Sequence, residues 1–261
     1  MSSAANLYVL YQVANALVKP FPYPHIYVRD VFPADYYREL RAHLPPAEAY
    51  RDLKTLKRVS VGYPDTRLVL VVTPENVQAL PEPSRSFWNA TAQWLMGGAF
   101  GQMMLSKFDK FLDQRFGDLH QPHFYDEALL VQDYTTYSLG PHTDSPTKVL
   151  SFLFYLPADD SLAHLGTSIY VPKDPRFTCP GGPHHPFEMF DRMMTMPFLP
   201  NTLFAFMKTQ NSFHGVEPIQ KAGVRRDLLL YDIKVAEAPE SRQQGPATTR
   251  QATAPVSKFS F

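Results

Sequence analysis

Five short runs of β-branched, aromatic and aliphatic residues stand at 128–134, 148–155, 166–171, 201–206 and 224–233, each bounded by Gly, Pro, Asn or Asp. Runs written this way read as β-strands. A series of short strands with Pro- and Gly-rich connections predicts an antiparallel sandwich or barrel of the jelly-roll type. In such a fold, distant segments meet where strands are laid side by side, so any functional constellation must be assembled across strands.

One group of polar residues fits that constraint. Gly140-Pro141-His142-Thr143-Asp144 lies between the first two runs, and Ser212-Phe213-His214 precedes the last. In an extended strand, residues two apart project to the same side, so His142 and Asp144 can reach one ion while Thr143 points away. His214 would come from a strand brought alongside by folding. Two imidazoles and one carboxylate cover one face of a divalent metal and leave the other open, the arrangement of non-heme Fe(II) oxygenases. A His-x-Asp triplet is weak by itself, and its strand context carries the assignment.

These residues resemble the Fe(II)/2-oxoglutarate-dependent oxygenase superfamily, and within it the prolyl-hydroxylase-like branch. The similarity spans about residues 129–233, less than half of the chain, with the elements in the family's order. Asp133-Tyr134 resembles the strand end before the metal loop, and Phe154-Tyr155-Leu156-Pro157 a second strand end. Residues 201–206 with Ser212-Phe213-His214 resemble the strand and turn that bring in the distal His, and residues 225–231 the final Arg-bearing strand. The resemblance implies a mainly β fold with a helical N-terminal part and a double-stranded β-helix (cupin-like) core buttressed by helices. It also implies Fe(II) held by His142, Asp144 and His214, 2-oxoglutarate as cosubstrate, O₂, and ascorbate as a candidate reductant. The default reaction is hydroxylation of an unactivated C–H bond with release of succinate and CO₂. Asp144 argues against the halogenase variant, in which a small residue replaces the carboxylate.

A permanently charged, planar guanidinium suits the distal carboxylate of 2-oxoglutarate. Arg225, eleven residues after His214, is the residue chosen, with Asp227, Leu229 and Tyr231 on its face and Arg226 turned away. Tyr155 is expected to add a hydrogen bond to that carboxylate, and Tyr134 to lie near the cosubstrate's other end. Strand tyrosines are more often core residues with tethered hydroxyls. His120, His123, His184 and His185 read as non-ligands, because Pro and Gly around them place them in loops.

The rest of the chain has a simpler expectation. Residues 1–125 form helices and strands packed on the core, 126–236 the catalytic jelly roll with an insertion at 173–200, and 237–261 a disordered tail, making one structural domain overall. The apolar positions 7, 10, 11, 14, 17 and 18 recur at helical spacing. Residues 33–44 and 84–116 also read as helical, the latter split near Gly97-Gly98. Residues 49–74 resemble the lid segments of the family, and the insertion reads as a long functional loop walling the substrate pocket.

With 25 basic and 25 acidic residues the chain sets up no general field for nucleic acid or membrane, so neither is expected as a partner. The single Cys179 cannot form an internal disulfide, which favours a reducing, cytoplasmic setting. The substrate expected is a small molecule or peptidyl residue, and nothing in the sequence specifies an oligomeric state. Two other readings remain: a cupin-like metal enzyme that does not use 2-oxoglutarate, and a non-catalytic jelly-roll binding protein.

Overall fold

The computed structural model describes residues 3–236 except 57, 60–62 and 118–121, so His120 and the tail from 237 lie outside the described residues. The N-terminal part contains α1 (Ser3–Asn15), β1 (His25–Arg29), α2 (Ala34–Ala42), β2 (Arg51–Asp52) and β3 (Arg67–Val71). Four helices follow, α3 (Pro74–Gln78), α4 (Ser84–Leu95), α5 (Ala99–Lys107) and α6 (Asp109–Phe116). Proline and glycine punctuate them as expected: α2 begins after Pro33 and ends before Pro45, and Gly97-Gly98 divides α4 from α5.

The remaining strands are β4 (Phe124–Tyr134), β5 (Leu139–His142), β6 (Lys148–Tyr155), β7 (Thr167–Pro172), β8 (Phe190–Met196), β9 (Thr202–Met207), β10 (His214–Val216) and β11 (Arg225–Val235). Among the described residues they form two antiparallel sheets, β1-β9-β6-β11-β4-β3-β2 and β5-β10-β7-β8. This is the expected jelly-roll architecture, mainly β with helices against the larger sheet. β8 arises inside the insertion, where the sequence suggested a loop. It pairs along β7 from Thr167–Met196 to Pro172–Phe190 and closes the edge of the smaller sheet.

The larger sheet is buried on both faces. Toward the helices, Leu150, Phe152, Phe154, Leu229 and Tyr231 join Phe100, Met104 and Trp88. Toward the smaller sheet, Val131, Tyr155, Phe204, Phe206 and Leu228 meet Ile169 and Phe198. Central strands sandwiched in this way read as continuous apolar runs, so their sequence does not mark which face is which.

The α1 stripe differs from its expectation. Val9 and Val13 are buried, whereas Leu7 and Tyr11 are exposed and the helix stops before Leu17. Tyrosines and leucines on both sides of the helix blur its periodicity. Among the described residues, no helix is long and apolar enough to cross a membrane.

Candidate metal and anion site

Between the two sheets lies a cavity of about 350 Å³, with His142, Asp144 and His214 in its wall. β5 and β10 run antiparallel with His142 opposite His214, and their ring centroids are 4.3 Å apart. Asp144 follows His142 by two residues, just past the strand end, so one turn of extended chain directs both side chains inward. One ligand atom from each of the three residues lies within 4.8 Å of the others.

The ring orientations suit coordination. His142 Nδ1 donates to the Gly140 carbonyl at 2.9 Å, and His214 Nδ1 to the Ser212 carbonyl at 3.0 Å. Each bond places the proton on Nδ1 and leaves Nε2 with its lone pair, as metal-binding histidines require. Burial pushes both imidazoles below their usual range, and for His142 the neighbouring His214 adds to the effect. Both rings are therefore held neutral.

Asp144 is held ionised. Burial alone would raise its carboxyl, but the Lys148 ammonium, the two imidazoles and the Ser151 hydroxyl pull it well below the usual carboxylate range. Ser151 Oγ donates to Oδ2 at 2.7 Å, and Lys148 Nζ lies 3.2 Å from Oδ1. Two neutral imidazoles and one carboxylate are the protonation states in which a divalent ion is taken up with little proton release.

At the far end of the cavity stands Arg226, fully buried on β11. Its Nη1 donates to Asp133 Oδ2 at 3.0 Å, and its guanidinium lies 4.8 Å from the Phe198 ring centre. Arg67 grips the same carboxylate through both oxygens, at 2.6 and 2.8 Å. Two guanidiniums thus share one carboxylate. Arg226 Nε and Nη2 and Thr167 Oγ1 are buried without a hydrogen-bond partner, and both residues line the cavity. Donors left unsatisfied in a low-dielectric site are costly, and an anion bound there would remove the cost.

The expectation for Arg225 is overturned by this geometry. Its side chain is 48% exposed and pairs with Asp227 at 3.1 Å, on the face away from the cavity. The predicted alternation along β11 is correct, but the faces are exchanged: Leu229 and Tyr231 go to the helices, while Arg226, Leu228 and Leu230 face the cavity. Tyr134 is corrected for the same reason. It stands opposite Arg225 across the ladder, and its hydroxyl donates to Gln132 Oε1 at 2.7 Å rather than facing the cavity. Tyr155 is fully buried against Phe198, and its hydroxyl accepts the Thr167 N–H at 3.2 Å. Burial raises its pKa to about 12, so the hydroxyl stays protonated and available as a donor.

Sequence reasoning missed Thr167, Arg67 and Lys148, none of which carries a motif. Thr167 and Lys148 each open a strand, and Arg67 opens β3, positions to which local sequence pattern assigns no function. His184, from the insertion, lies with its ring centroid 4.7 Å from that of His142, outside the converging trio. Leu53, Arg58, Val59 and Tyr63, from the segment read as a lid, line the cavity together with Gly182 of the insertion.

No family model matches this sequence, and no curated protein matches it. Solved structures do. A prolyl 4-hydroxylase from Phytophthora capsici matches at 13% identity and a TM-score of 0.51, covering 95% of this chain and 72% of that one. SnoN, the non-heme α-ketoglutarate-dependent epimerase of nogalamycin biosynthesis, matches at 12% and 0.50, covering 98% and 95%. At these identities the likeness is one of fold: the chain shares the jelly-roll fold of these two structures.

Proposed function

We propose that the chain is an Fe(II)- and 2-oxoglutarate-dependent oxygenase that hydroxylates an unactivated C–H bond of a small molecule or peptidyl residue, releasing succinate and CO₂. The observation that carries this reading is the pairing, within one cavity, of the His142, Asp144 and His214 trio with a buried arginine whose Nε and Nη2 have no partner.

The donor set fits the metal. Two neutral nitrogens and one carboxylate suit a first-row divalent ion and leave coordination positions free for a bidentate cosubstrate and a gas. When bound, iron and 2-oxoglutarate supply the oxidising chemistry, and the chain supplies placement.

Each side chain then has a defined task. His142, Asp144 and His214 hold the metal, with Nδ1–H bonds to backbone carbonyls fixing the ring planes. Ser151 and Lys148 orient the Asp144 carboxylate. Arg226 and Thr167 bind the distal carboxylate of 2-oxoglutarate, with Asp133 and Arg67 locking the guanidinium in place. The Tyr155 hydroxyl supports that end through the Thr167 backbone. Leu129, Val131, Leu153 and Leu228 keep water from the space between the two ends.

Arg226 favours this reading over a metal enzyme without 2-oxoglutarate, because only an anionic cosubstrate uses its free donors. The test is anaerobic titration of the Zn(II)-loaded protein with 2-oxoglutarate, followed by succinate release under O₂ with the iron form. Lack of 2-oxoglutarate binding would reject it. The epimerase named above makes product analysis under ¹⁸O₂ necessary, since hydroxylation retains one label in the product and inversion retains none.

A further inference from the structure

Beyond the metal-binding trio, the cavity floor carries charge where a jelly roll needs none. Along the cavity face of β11, Leu228 and Leu230 are followed by Asp232 and Lys234. Asp232 stands opposite Glu127 on β4 and Ser151 on β6, and Lys234 stands opposite Lys148. Lys148 bridges Asp144 and Asp232 at 3.2 and 3.1 Å, while Lys234 and Arg58 each reach Glu127 Oε2 at 2.6 Å. The cavity wall thus reads Asp144, Lys148, Asp232, Lys234, Glu127, Arg58, a row of alternating sign.

Stability does not explain the row. Asp232 is buried, and Lys148, Lys234 and Glu127 are each less than a quarter exposed, so these ions give up hydration to pair there, and a well-packed apolar floor would be at least as stable. These side chains line the cavity that holds the trio, within reach of anything bound above the metal.

We propose that this floor binds the substrate of the oxygenase reading, on which the inference rests, and that the substrate there is a neutral polyhydroxylated ring. The alternation excludes charged groups. An ammonium placed on Glu127 lands beside Lys234 and Arg58, and a carboxylate placed on Lys148 or Lys234 lands beside Asp232 or Glu127. Either would also displace one ion of a closed pair and strand the other. A hydroxyl instead accepts from an ammonium or guanidinium and donates to a carboxylate at once, so vicinal hydroxyls span neighbouring ions without breaking a pair. The two ends of the cavity therefore differ in kind: Arg226 keeps free donors for an anion, whereas the floor keeps its charges balanced. At about 350 Å³, the cavity is near the lower end of ligand pockets and has room for one ring beside the cosubstrate.

The test is ligand-observed NMR and calorimetry on the Zn(II)-loaded protein with 2-oxoglutarate. The polyol probes are methyl α-D-glucopyranoside, methyl α-L-rhamnopyranoside and myo-inositol, set against proline, glutamate and a proline-containing hexapeptide. At least one polyol should bind, with Glu127→Gln and Lys234→Met each weakening it about tenfold while 2-oxoglutarate affinity stays unchanged as the check on folding. Tighter binding by a charged probe or the peptide overturns the inference, as does polyol binding insensitive to both variants. Binding of 2-oxoglutarate without any polyol overturns the substrate class alone. Failure of wild-type protein to bind 2-oxoglutarate removes the oxygenase reading and this inference with it.

Discussion

Arg226 faces Asp133 across the β11–β4 ladder, and the two fully buried side chains are joined by a 3.0 Å hydrogen bond. The bond uses one guanidinium nitrogen and leaves Nε and Nη2 without a partner on a residue that lines the cavity. Arg226→Ala is therefore expected to keep metal affinity but weaken 2-oxoglutarate by about 2–5 kcal/mol, roughly 30-fold to several thousand-fold. Arg225→Ala should change it less than about threefold, because that side chain pairs with Asp227 on the face of β11 away from the cavity. Anaerobic titration of the two variants decides it, and equal losses would mean that neither arginine forks the carboxylate.

Asp144 contributes the trio's only charge. Asp144→Ala should lower divalent-metal affinity by at least about 100-fold and abolish turnover, since a bound ion would then face two neutral nitrogens and the Lys148 ammonium. Equilibrium dialysis with Mn(II) measures this, and wild-type stoichiometry in the variant would remove the trio from the site.

Gly215 follows His214 on β10, and a Cβ there would lie 2.6 Å from the Leu139 carbonyl oxygen of β5. Backbone cannot yield to it cheaply, so Gly215→Ala should separate the two strands and lose about 1–3 kcal/mol of stability. The melting temperature should fall by several degrees and metal affinity should fall with it, because His214 moves relative to His142. An unchanged melt paired with normal Mn(II) binding would show that the strands adjust.

Glu127 gives a pH signature. Burial would raise its carboxyl, but Arg58 and Lys234 bring it below the usual glutamate range. A folded pKa below the unfolded one means stability that is present above about pH 4.3 and is lost as pH falls through the lower folded value. Glu127→Gln should melt a few degrees lower than wild type at pH 7, and the gap should close as pH falls below about 4. Thermal melts from pH 3 to 7 follow it, and a gap constant with pH would show that the pairs carry no linkage.

Much of this was legible in the sequence. The strand runs are short, apolar and bounded by turn residues, so their existence follows from local chemistry, and β4, β6, β7, β9 and β11 fall on them. The convergence of His142 with Asp144 follows from a spacing of two in extended chain. β8 was hidden because its run of Met, Asp and Arg lacks the β-branched signature and sits in a segment rich in Pro and Gly.

By itself, then, the sequence determined the five apolar strands, the direction of the His142 and Asp144 pair, and the alternation along the last strand. Only the tertiary structure decided which face of β11 meets the cavity. A strand buried between helices on one side and a second sheet on the other is apolar at both parities, so periodicity specifies that Arg225 and Arg226 oppose each other but not which one turns inward. Tertiary packing also made partners of Thr167, Asp133, Lys148 and Asp232. Their roles depend on strands β4, β6, β7 and β11 lying around one cavity, a relationship that no local pattern encodes.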